Sequence, residues 1–157
     1  MKIENYEFDY VATINECVKR DEDGMIYGYN PKDAYDNIKG LALNKYGNST
    51  FCDFGIPSKS QNSGVYALFI DDLEVPVYIG RAANFDSRWS ATNYAHISPR
   101  NCYKGGQSTN CHINSFIYKL IKENRLVKLY FFETPDYVKI EKELIRKYRP
   151  EYNTQLN

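Results

Sequence analysis

"SGVYALFIDDLEVPVYIGRAANFDSRW", residues 63–89, is the stretch on which the reading of this chain turns. Two short apolar runs, residues 65–70 and 75–79, flank a polar segment that opens with two aspartates, a pattern that predicts an antiparallel hairpin. Setting Val65 against Ile79, Ala67 against Val77 and Phe69 against Val75 makes one face wholly aliphatic, as a sheet packed on helices requires. Opposed residues share a face, so this register puts Tyr66 directly across from Tyr78, on the side away from the aliphatic face. Two tyrosines so placed are compatible with an ordinary aromatic cross-strand pair. Their surroundings add a second reading. Asn84 is suited to cap a helix beginning at Phe85 and carrying Arg88, and Arg81 lies just beyond the second strand. A phenol acts as a base only where nearby positive charge favours phenolate, and an arginine fork also matches phosphate geometry.

Working outward, the C-terminal stretch "TPDYVKIEKELIRKYRPEYN", residues 134–153, predicts a helix bounded by Thr134 as cap, Pro135 next to it and Pro150 past its end. Its apolar positions are Val138, Ile140, Leu144 and Ile145, and Glu141 interrupts them. The residues three and four positions from Glu141 are Tyr137, Val138, Leu144 and Ile145, whereas Glu143 is flanked by Lys139, Ile140, Arg146 and Lys147 and reads as a solvated salt-bridging partner. A carboxylate within a packed stripe is costly unless a metal or a hydrogen-bonding partner compensates it. A glutamate at the edge of the stripe is the plainer alternative.

With 157 residues, 43% hydrophobic and 15% aromatic, the chain suits one globular domain, or a domain with an extension. No apolar run approaches the roughly 18–20 residues of a membrane helix, and MKIENYEFDY lacks a basic-then-apolar leader, so a cytoplasmic setting without a membrane partner is expected. Cys17, Cys52, Cys102 and Cys111 form no CxxC pair and are expected as free thiols. Net charge is zero, yet residues 1–62 carry 7 Lys+Arg against 10 Asp+Glu and residues 63–157 carry 13 against 10. So mild an asymmetry fits a solvated surface as well as a phosphate-facing one.

Residues 1–62 are expected to form a mainly helical N-terminal extension, DNA-contacting or dimerising, ahead of a catalytic domain over residues 63–157. Asn30, Pro31, Ala34, Ile38, Leu41 and Ala42, with Gly47 as a stop, suggest a helix near residues 31–46, and a second near residues 8–20. "FCDFGIPSKSQNSG", residues 51–64, reads as a linker.

Together these residues resemble the GIY-YIG nuclease family over about residues 63–155. Gly64-Val65-Tyr66 matches the first motif and Tyr78-Ile79-Gly80 the second; residues 80–89 match a G-x-A-x-N-F-x-x-R-W pattern; Glu141, Leu144, Ile145, Arg149, Pro150, Tyr152 and Asn153 match the closing element. The resemblance implies an α/β (α+β) fold, a three-stranded antiparallel sheet flanked by helices, and phosphodiester hydrolysis in double-stranded DNA with Mg²⁺ or Mn²⁺. By position, Tyr66 would be the general base or water-orienting group, Tyr78 its partner, Arg88 the phosphate clamp, Glu141 the metal ligand and Asn153 a supporting residue. Arg81 stands where many members carry lysine.

One departure concerns the proton-handling group. Four residues past Arg88, where many members place His or Tyr, this chain has Thr92; His96 is a candidate for that role, and His112, in "NCHINSF", resembles a histidine some homing-type members carry. The loop of residues 99–110, with Arg100 and Lys104, could contact DNA, as Arg81 could. A zinc reading of His96, Cys102, Cys111 and His112 is opposed by their spacing. A restriction-like endonuclease, as monomer or homodimer, is the expected form because the chain ends just after the catalytic core; a structure-specific repair or recombination nuclease and an inactive nucleic-acid-binding module are the alternatives.

Overall fold

The computed structural model describes residues 1–153. The end of the expected nuclease domain, residues 154–157, lies outside the described residues. The chain divides into two compact units, one built from residues 1–16, 56–88 and 125–157, the other from residues 17–55 and 89–124. No helix among the described residues is long and apolar enough to cross a membrane.

The first unit is organised by a four-stranded antiparallel sheet. Its strands are β3 (Asp9–Thr13), β4 (Gly64–Ile70), β5 (Tyr78–Ala82) and β6 (Val127–Glu133), in the order β3-β6-β4-β5; a small ribbon of β1 (Lys2–Ile3) and β2 (Tyr6–Glu7) precedes them. The resemblance implies three strands; the sheet has four, because β3 joins β6 from residues assigned to a helical extension. Asp9-Tyr10-Val11-Ala12-Thr13 is rich in β-branched and aromatic side chains, and the edge of β6 gives it backbone partners, with Tyr10 set edge-on to Tyr130 at 5.6 Å.

The hairpin forms with a register two residues from the expected one. Ala67 faces Ile79, Tyr66 faces Gly80 and Leu68 faces Tyr78, so the two tyrosines are diagonal neighbours instead of directly opposed. They still share a face, because the shift is even. The reason lies in the connection: Asp71 adopts a left-handed φ of 55°, accepts from Leu126 N–H at 2.9 Å and from Arg125 Nε at 2.6 Å, and holds the chain in a wider turn. Val75, expected on the aliphatic face, is left 54% exposed. That face is completed instead from α3 (Tyr137–Tyr148), whose Ile140, Leu144 and Ile145 pack with Val65, Ala67, Phe69 and Ile79.

The second unit holds α2 (Ser108–Lys122), short 3₁₀ turns including Pro99–Cys102, and irregular chain joined by isolated bridges such as Tyr29 to Phe51 and Leu43 to Tyr103. The helix expected at residues 31–46 is absent; only one short 3₁₀ turn, Lys32–Ala34, forms there. Asparagines divert the backbone. Asn30 Oδ1 accepts from Lys32 N–H at 2.8 Å while its amide donates to Gly47 and Ser49 carbonyls, and the Asn37 side chain both accepts from and donates to the Leu41 backbone. These local bonds compete with helix formation. Ile38, expected inside, is 86% exposed.

Candidate active site

Six of the residues singled out in the sequence, Tyr66, Tyr78, Arg81, Arg88, Glu141 and Asn153, belong to the first unit. β4 carries Tyr66 into the interior at 1% exposure, and β5, the edge strand, carries Tyr78 at 9%. Their rings stack at 6.3 Å with 25° between planes. Gly80 makes the arrangement possible: a Cβ built there would overlap the outer atoms of the Tyr66 ring and its hydroxyl. The tyrosine of one strand therefore lies across the glycine of the next, reaching toward the free edge of β5. Gly64 has a comparable role, since a Cβ there would meet the Phe132 carbonyl and the Phe131 ring.

α1 (Phe85–Arg88) follows directly. Asn84 caps it as expected, its Oδ1 accepting from Ser87 N–H at 3.0 Å, and Arg88 ends it, partly buried. Asp86, not singled out in the sequence, locks the preceding linker onto this turn by accepting from Ser58 Oγ at 2.6 Å, Lys59 N–H at 2.8 Å and Ser60 N–H at 3.0 Å. Burial opposes its charge, but these bonds prevail and hold its carboxyl below the usual range.

Glu141 sits on α3 with its side chain 15% exposed, within the packed arc that the helical period marks out. Arg81 Nη1 donates to its Oε1 at 3.4 Å. Burial pushes the Glu141 carboxyl above the ordinary glutamate value, and the positive charges of Arg81 and Lys142 offset that only in part. Oε2 has no hydrogen bond among the described residues. Glu143, by contrast, is exposed and accepts from Tyr6 at 3.2 Å.

The alternation of β5 distributes these groups. Tyr78 and Gly80 point to one side of the sheet, with Tyr66; Ile79 and Arg81 point to the side that α3 covers. The tyrosine pair and the Arg81–Glu141 pair thus occupy opposite faces, and the edge of β5 is where the two faces meet. Asn153 finishes that edge. Its Nδ2 donates to Ile79 O at 2.7 Å and its Oδ1 accepts from Ile79 N–H at 2.9 Å, so one buried amide takes the place of a neighbouring strand.

The remaining candidates lie in the second unit. His96 Nδ1 is 2.7 Å from Asp53 Oδ1 and 3.2 Å from Tyr29 Oη, with its ring stacked on Tyr29 at 5.6 Å. Burial, then the hydrogen bond to Asp53, pushes the Tyr29 hydroxyl far above its usual range. His112 packs between Tyr46 at 4.4 Å and Phe116 at 5.3 Å. Arg100 donates to the carbonyls of Tyr103 and Lys104 and lies over the Tyr35 ring at 5.6 Å, whereas Lys104 is exposed. Sequence reasoning passed over Asn114, wholly buried on α2, which bonds both Cys52 backbone groups and the Tyr94 carbonyl at 2.8 Å each. Its only signal is an amide on the helical face that otherwise carries apolar side chains and one further buried amide, Asn110.

No family model matches the chain, and no curated protein matches it in sequence. Among solved structures it is similar to the crystal structure of the GIY-YIG N-terminal endonuclease domain of UvrC from Thermotoga maritima bound to its catalytic divalent cation, magnesium; the identity is 21%, the likeness covers 60% of this chain and 86% of that one, and the TM-score is 0.37. A likeness of that size carries no conclusion about activity.

Proposed function

We propose that this chain is a divalent-metal-dependent DNA endonuclease whose reaction centre lies at the β5 edge. One observation carries the reading: Glu141 is a half-buried carboxylate with one oxygen uncommitted, beside Arg81 on the same strand that carries Tyr78 and Gly80. Desolvating a carboxylate on a core-facing helix is unfavourable, and a cation compensates it. Among the described residues no cluster of three or more acidic, His or Cys side chains could hold a metal. A lone carboxylate suits magnesium, which keeps several waters and is held by one or two carboxylates plus substrate phosphate. Glu141 would hold it. When bound, the ion supplies Lewis-acid stabilisation and lowers the pKa of water.

The rest of the chemistry falls to this chain's own side chains. A water oxygen attacks phosphorus, one P–O ester bond breaks, and the departing oxygen takes up a proton from solvent. Tyr66, with its hydroxyl over Gly80, orients the attacking water or, as the phenolate, takes up its proton to become the phenol, and Tyr78 fixes the position of that ring. Arg88 faces the negative charge that builds on the phosphoryl oxygens. Arg81 favours the charged form of the Glu141 carboxyl against the opposing effect of burial, and Asn153 holds the edge strand in register. Restriction-like cutting at a fixed sequence is the form we favour.

Supercoiled plasmid incubated with the protein and Mg²⁺ should convert to nicked or linear form, and EDTA should abolish the conversion. Intact plasmid after prolonged incubation with Mg²⁺ and with Mn²⁺ would overturn the reading. Discrete bands from long duplex DNA would support fixed-sequence cutting, and preference for flaps or branches would replace it with a structure-specific nuclease.

A further inference from the structure

The face of α3 turned away from the sheet carries a concentration of positive charge that the proposed reaction does not use. Lys139, Lys142, Arg146 and Lys147 line one shallow surface groove, with Glu143 as the single acidic side chain among them. Lys139, Lys142 and Arg146 fall at i, i+3 and i+7, so they stack along one side of the helix. Lys147 is already paired with Glu4 at 2.9 Å, and Glu143 is hydrogen-bonded by Tyr6. The three stacked cations form no ion pair among the described residues. Their side chains are exposed.

Unpaired like charges held along one helix face repel one another and destabilise the helix slightly. A polyanion laid along them removes that repulsion and releases its own condensed counterions. We propose that Lys139, Lys142 and Arg146 form a track for the phosphate backbone of duplex DNA, contacting it independently of base sequence. The proposal rests on the nuclease reading for its choice of polyanion. The helix that presents the track also carries Glu141, on the side packed toward β5, so the track and the candidate metal ligand belong to one element. Phosphate contacts of this kind set position and register and leave sequence readout to other groups.

The test uses the full chain carrying Glu141→Gln, so that binding is read without cleavage, and a fluorescein-labelled duplex of about 20 base pairs titrated by anisotropy across NaCl concentrations in EDTA. Adding Lys139→Ala, Lys142→Ala and Arg146→Ala should weaken binding at least tenfold and make the slope of log K against log salt shallower by roughly 2 to 3, about 0.9 for each phosphate no longer neutralised. A second variant, with Lys39→Ala, Lys119→Ala and Lys122→Ala, removes the same charge from exposed positions of the other unit and should leave the slope unchanged. Equal losses in both variants, or none in the first, would overturn the proposal. So would loss of binding to phosphatidylserine vesicles with duplex binding intact, which would make the stripe a lipid contact. If the wild type cuts DNA but the first variant binds as before, the track fails and the nuclease reading stands. If binding depends on the stripe but the wild type never cuts, the nuclease reading fails and the track stands.

Discussion

Tyr66 is asked to do two things that a single substitution separates. Its ring fills space beside Phe85 at 6.5 Å and over Gly80, which is a packing role; its phenol oxygen is the atom proposed to orient the water or, as phenolate, take up its proton. Tyr66→Phe keeps the ring, so thermal stability should stay close to that of the wild type while single-turnover cleavage falls about 10²- to 10⁴-fold. Wild-type cleavage by this variant would reduce the tyrosine to a core residue. Glu141 gives a second test at this scale. Its carboxyl is held above the ordinary glutamate value, so the folded chain binds the proton more tightly than the unfolded chain does. That contribution is fully present below the unfolded value, about 4.3, and is lost as pH rises through the raised one. In EDTA, Glu141→Gln should therefore melt at or above the wild-type temperature at neutral pH, with the difference shrinking in acid. Melting well below wild type at neutral pH would mean that the Arg81 pairing outweighs burial.

At the scale of elements, β5 depends on a side chain far away in sequence. Asn153 supplies both hydrogen bonds to Ile79 on the open side of the edge strand, and Tyr152 N–H donates to Val77 O at 2.9 Å just beside them. Asn153→Ala leaves two buried backbone groups without partners and should cost roughly 1–3 kcal/mol for each group left unsatisfied, read as a lower urea midpoint at unchanged slope. A midpoint within error of wild type would mean that water replaces the amide at no cost. Helix α3 was legible because its apolar period, its prolines and the anomaly at Glu141 all act locally along one short segment. The hairpin's existence was legible for the same reason. Its register was not, because it is set by Asp71 reaching Arg125 and Leu126 and by the ring of Tyr66 needing the space that Gly80 leaves, contacts between residues distant in sequence. The false helix at residues 31–46 shows the converse: its apolar spacing was real, but Asn30 and Asn37 take up the backbone groups that a helix would use.

For the whole molecule, the expected division after residue 62 follows a change in composition, and the two compact units each draw on widely separated segments. Composition along a chain reports local order; β3 joining β6 from the far end of the chain is a tertiary choice that no window of sequence displays. The candidate site is legible in the residues because the chemistry needs particular types, two phenols, cations and a carboxylate, at positions that local pattern already marks as unusual. That Tyr66 and Tyr78 share a face holds in the expected register and in the realised one, which differ by an even shift; that Arg81 and Glu141 meet on the other face follows only from the realised fold. Everything proposed for the β5 edge depends on Glu141 as the residue that would hold the divalent metal for phosphodiester cleavage. That role is tested most directly by measuring nicking of supercoiled plasmid by wild type, Glu141→Gln and Glu143→Gln over a titration of Mg²⁺. Glu143→Gln should follow the wild-type metal curve and Glu141→Gln should show no metal-dependent nicking at any concentration; cleavage by Glu141→Gln near the wild-type level would mean that another group holds the ion.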